Sequence, residues 1–162
     1  MAGVTPIDES VIPAQMYEKS FGPFQGASFA GAASSYLDLG FFAPPGRQVE
    51  IHKISAAISA QHAATTCSMV LVKAADGVAR TADTSVIAET TASKSVSAIF
   101  NVGNAGSPTK LTVNTVTDVT PSTTENVLDP GDRLYLYSLV NVNAGALANL
   151  VIKIRYRLRP GT

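Results

Sequence analysis

The sequence predicts an all-β protein, an antiparallel two-sheet sandwich of about eight strands. Three observations carry this. Apolar residues recur mostly at every second position over short runs, turn residues punctuate those runs, and no segment longer than a turn or two keeps the 3.6-residue period of a helix.

Residues 35–42, Ser-Tyr-Leu-Asp-Leu-Gly-Phe-Phe, read as a strand that stops at Pro44-Pro45-Gly46. From 47 to about 60, Val49 and Ile51 share one parity while Ile54, Ala56 and Ile58 share the other. A period-2 pattern that changes parity requires a bulge near His52-Lys53 or a strand end there. Residues 68–74 are apolar on both parities and end at Asp76-Gly77, which predicts a central strand covered on both faces. The Ser/Thr-rich stretch 81–95 reads as a long loop with one short strand at 85–88. Two strands follow at 97–102 and 111–119. In the second, Leu111, Val113, Thr115, Thr117 and Val119 face one way, and Pro121 ends it. Asp129-Pro130-Gly131-Asp132 places Pro and Gly at the central positions of a type II turn. Two last strands lie within 127–140 and 148–159, on either side of an Asn/Gly loop.

At 162 residues the chain is one domain, or one domain plus an arm. Folding a chain of this size hides roughly 70% of the surface the unfolded chain exposes, which is enough for a core. With 12 basic and 12 acidic residues, no global field draws in nucleic acid or an anionic membrane, and neither is an expected partner. Charged residues make up 15% of the chain and apolar ones 46%. Such a weakly charged surface predicts a subunit of a homo-oligomer; a monomer with a Ser/Thr-rich coat is the alternative. The first residues lack the basic and apolar regions of a leader, and no apolar run approaches the length of a membrane span.

Residues 1–33 differ from the sandwich proper at 34–162. Pro6, Pro13 and Pro23 interrupt regular structure, and Phe21, Phe24 and Phe29 are scattered among small residues. One reading is an extended N-terminal arm whose three phenylalanines anchor on another chain. The other is a first strand and loops that cover this subunit's own core.

The sharpest local pattern is Lys153, Arg155, Arg157 and Arg159 on one strand parity, with Ile152, Ile154, Tyr156 and Leu158 on the other. Three readings are open: an ion-pair seam with a partner, a solvated outer face that deters edge pairing, and a phosphate-binding face. The last lacks aromatic platforms for bases. No catalytic, cofactor or metal site is expected. Glu50 and His52 share a parity, but His62 is ten residues away and no further ligand accompanies them. Cys67 lies in an apolar run, which predicts a buried, inert thiol. Tyr135 and Tyr137 alternate with Leu134 and Leu136, as a contact surface or as ordinary sheet packing.

The run Val127-Leu-Asp-Pro-Gly-Asp-Arg-Leu-Tyr-Leu136 resembles the signature of an apolar pair, a turn, Gly-Asp and an alternating strand near the end of jelly rolls. It recurs in tumour-necrosis-factor-like domains and in phage fibre and head-decoration proteins. With the arm and the Ala/Ser/Thr/Gly richness, the chain looks most like a bacteriophage capsid decoration, or cement, protein. The motif specifies fold better than role. The resemblance implies a jelly-roll-type sandwich with an extended N-terminal arm, forming trimers that sit on the capsid surface. It also implies the major capsid (coat) protein as partner, and assembly in the host cytoplasm. A receptor- or glycan-binding jelly-roll module of a phage fibre is the alternative. The His-x-His-plus-Glu cluster of cupin enzymes is missing.

Overall fold

A computed structural model describes residues 15–29, 35–64, 66–75, 94–104, 109–138, 142 and 147–161. The ten strands are β1 (Met16–Phe24), β2 (Ser35–Phe42), β3 (Arg47–Ala57), β4 (Ser68–Ala75), β5 (Phe100–Asn101), β6 (Thr109–Lys110), β7 (Thr117–Val119), β8 (Val127–Leu128), β9 (Asp132–Ser138) and β10 (Leu150–Pro160). Sheet A has the order β1-β10-β3-β7, with β8 also on β3, and sheet B the order β2-β9-β4-β5-β6. Every strand pair except β5–β6 is antiparallel. No α-helix occurs among the described residues; one 3-10 turn, Gly26–Ser28, follows β1. The protein is an all-β sandwich.

Alternation builds the core. Ile152 and Ile154 of β10, Val49, Ile51, Ile54 and Ala56 of β3, and Leu134 and Leu136 of β9 all point between the sheets and are buried. The parity switch in β3 is a bulge. Arg155 pairs with Lys53 and Tyr156 with Ile51, so His52 is the extra residue. One inserted residue thus keeps Ile51 and Ile54 on the same buried face despite their odd spacing. β4 is covered on both sides, as its sequence predicts: Met69 and Leu71 lie in the main core, and Val70, Val72 and Ala74 form a second buried cluster with Tyr135 and Tyr137. The two tyrosines are sheet packing. The turn before β9 has Gly131 at φ 90°, and the Asp132 N–H donates to the Asp129 carbonyl at 2.9 Å, the type II geometry.

Two strand expectations need correction. Of 97–102, only Phe100–Asn101 joins a ladder, while Ser97 makes an isolated bridge to Pro121. Of 111–119, only Thr117–Val119 is strand. The Thr115 N–H donates to the Thr112 carbonyl at 3.1 Å and Asn114 adopts φ 58°, so a turn breaks the run and leaves Val116 70% exposed. The short strand expected at 85–88 lies outside the described residues.

The boundary of the sandwich also moves. Residues 16–24 do not leave it as an arm but form β1, which pairs with β10 from Met16↔Arg157 to Phe24↔Leu150. Phe21 and Phe29 are buried in the subunit's own core, so neither is free to anchor on another chain, and Phe24 packs against that core partly buried. The physical reason is local. Phe21 lies opposite Ile152, and its ring meets Phe41 of the facing sheet edge-on at 5.7 Å between centroids. Residues 1–14 and 30–33 of the expected arm lie outside the described residues.

Candidate protein-interaction face

The outer face of sheet A collects most of the chemistry. On β10, Ile152 and Ile154 turn inward, so Lys153 and Arg155 turn outward and are exposed; beyond the bulge Arg157 is half-buried and Arg159 exposed. β1 and β3 flank this strand and supply the acidic partners. Lys153 Nζ lies 3.1 Å from Glu18 Oε2, and Lys53 Nζ lies 3.0 Å from Asp118 Oδ2 on β7. These pairs are exposed, so each contributes at most about 1 kcal/mol.

Glu50 is the better-shielded hub, with a side chain 14% exposed. Its Oε2 accepts a hydrogen bond from Arg157 Nε, and it lies 3.6 Å from Arg159 Nη1 and 3.4 Å from His52 Nε2. Burial of Glu50 works to raise its pKa. The Arg157 hydrogen bond and the charges of Arg157, Arg159 and His52 outweigh that and hold the carboxyl below its ordinary value. The stripe is therefore an ion-pair seam, but its acidic side comes from within this subunit. The shared parity of Glu50 and His52 was the visible signal for their meeting. The pairing of Glu50 with Arg157 was not visible, because it needs the β3–β10 register.

Glu50→Gln should destabilise the fold by about 1–2 kcal/mol near neutral pH, since it leaves Arg157 and Arg159 without their carboxylate. The sign follows from the lowered pKa. The stabilisation is present above the ordinary Glu pKa of 4.5 and is lost as pH falls through the lower folded-state value. Urea unfolding of both proteins from pH 7 to pH 3 should show the gap closing below about pH 4.5. A gap independent of pH would assign the effect to packing.

Arg155 differs from its neighbours. Among the described residues, no ion pair includes it. It lines a shallow depression with Glu18, Lys53, Ser55, Asp118 and Lys153, and Val116 forms one wall. Two further depressions continue from Val116. One runs over Ser20, Ala57 and Val151, and the other over Ser59, Asn114 and Asn149. Small side chains on β1, β3 and β10 thus leave a furrow across the sheet. Its cationic end lies at Lys53, Lys153 and Arg155, and its uncharged polar end at Asn114 and Asn149.

Other candidate residues sit elsewhere. His62 is buried in the loop after β3, where its Nδ1 accepts the Ala64 N–H at 3.0 Å. No group of three or more His, Cys, Asp or Glu side chains among the described residues is placed to hold a metal ion. Cys67 is fully buried; burial raises its thiol pKa, and a 3.7 Å contact with Ser138 Oγ only partly offsets this, so the thiolate nucleophile is disfavoured. No protein-family model matches the chain, and neither a curated protein nor a solved structure does.

Proposed function

We propose that this chain is a structural virion protein, a head decoration or cement protein that forms homotrimers and reinforces a phage capsid by non-covalent contacts. The reading rests on the resemblance around the Asp129–Asp132 turn, and the strand order is the observation that supports it best. One sheet takes the first, last, third and seventh strands, with the eighth also on the third, and the other the second, ninth, fourth, fifth and sixth. Successive strands β1 to β4 thus alternate between the sheets, as expected of a jelly roll.

Such a protein would act by burying weakly charged surface between subunits and against the coat, with no bond made or broken. Sheet A's outer face suits this role, because Lys53, Lys153 and Arg155 are exposed on it. The rival reading, a receptor- or glycan-binding module, calls for exposed aromatics converging on a groove. Tyr17 and Phe42 are the aromatic rings among the exposed large hydrophobic side chains described, and neither lines the furrow.

Sedimentation at micromolar concentration should show a trimer, with interfaces on the order of 2,000 Å² per pair. The protein should also co-sediment with capsids that lack it. A stable monomer that leaves such capsids bare would refute the proposal.

A further inference from the structure

The outer face of sheet A is not electrically balanced. It carries Lys53, Lys153, Arg155, Arg157 and Arg159 against Glu18, Glu50 and Asp118, five cations to three carboxylates, although the whole chain is neutral. Glu50 is shared by Arg157 and Arg159, Glu18 is engaged by Lys153 and Asp118 by Lys53. The surplus of two is divided between the Arg157–Arg159 pair, which shares one carboxylate, and Arg155, which has none, at the head of the furrow.

The sequence holds a segment of complementary chemistry. Residues 1–14 contain Asp8 and Glu9 and no lysine or arginine, with Val4, Ile7, Val11 and Ile12 around them. Pro6 and Pro13 favour an extended path and cannot complete a strand ladder, which suits a segment lying in a furrow better than one added to a sheet edge.

Direction favours a neighbour's face over the subunit's own. β1 pairs Met16 with Arg157 and Glu18 with Arg155, so the N-terminal end of the strand points away from Arg155 and from the furrow that runs on towards Val151. Seven residues separate Asp8 from Gln15, a reach of up to about 23 Å when extended, and a segment that continues the strand's direction leads off its own furrow.

We propose that residues 1–14 of one copy dock in the sheet A furrow of a second copy. Asp8 and Glu9 meet Arg155, with Lys53 and Lys153 beside it, and the flanking aliphatic residues lie on Val116, Ala57 and Val151. The inference rests on the oligomer reading above and supplies one of its contacts.

The test uses the full-length chain carrying Asp8→Asn and Glu9→Gln, which frees the furrow, and a fluorescein-labelled peptide of residues 1–14 followed by anisotropy. Saturable binding is expected, weakened at least about tenfold when the receiving chain carries Arg155→Glu. Partial recovery is expected when the peptide then carries Asp8→Arg. Circular dichroism of the Arg155→Glu chain should match the parent, because no described partner is lost. Three results would overturn the docking: no saturable binding, binding indifferent to Arg155→Glu, or equal binding of a scrambled peptide of the same composition. Sedimentation of the unmodified chain separates the two readings. A monomer that still yields Arg155-dependent peptide binding refutes docking between copies and the assembly with it. An oligomer whose furrow ignores the peptide refutes the docking alone.

Discussion

Replacing Phe21 with alanine should cost about 3–5 kcal/mol of folding stability, the usual range for removing a phenylalanine from a packed core. Its side chain is 5% exposed, lies opposite Ile152 across the β1–β10 pair and meets Phe41 from the other sheet. Truncation removes the ring that ties the edge strand of sheet A to sheet B. For a chain of this length the loss corresponds to a fall in melting temperature of about 10 °C or more. Phe42→Ala is the control. That ring is 50% exposed, with the Arg133 guanidinium 5.9 Å from its centroid, so its loss should cost about 1 kcal/mol or less. Urea unfolding followed by tyrosine fluorescence measures both. Equal, small effects at the two positions would mean that β1 contributes nothing to the subunit and serves only to reach other chains.

Asn101→Leu should be comparably damaging for a different reason. Asn101 is fully buried, and its Oδ1 accepts the backbone N–H groups of Cys67 and Gly103, both at 2.9 Å. One side-chain oxygen satisfies two buried donors at the entrance to β4 and the exit of β5. Leucine nearly fills the same volume but accepts nothing, and each stranded donor costs about 1–3 kcal/mol, for about 2–6 kcal/mol in all. A loss below about 1 kcal/mol would show that water or a shifted carbonyl takes over the two donors.

The parts of the fold that were legible in the sequence are those where burial writes a period. The parity switch at His52 announced the bulge, the two-sided apolar run of β4 announced a central strand, and Pro130-Gly131 announced its turn. β1 was legible only as one of two readings of residues 1–33, because only Phe21 of its nine residues is buried, and an edge strand held mainly by backbone hydrogen bonds leaves no alternation to decide between them. The run 111–119 misled in the opposite direction. Its alternation is real, with Leu111 and Val119 both buried, but the left-handed Asn114 turns the chain between them. For the candidate site, the cationic stripe was plain from parity alone. That Glu18 and Glu50 would answer it from β1 and β3 depends on strand neighbours far apart in sequence, and no local pattern encodes those.

The outer position of β1 has one more consequence. By register Lys19 shares the inward-facing side of the strand with Phe21, opposite Ile154, yet it is exposed. A foreign strand that tried to extend sheet A along this edge would have to desolvate that ammonium group, and Pro23 offers it no N–H. Crowding many copies together, as a shell would, therefore favours contacts through faces and discourages runaway fibre growth.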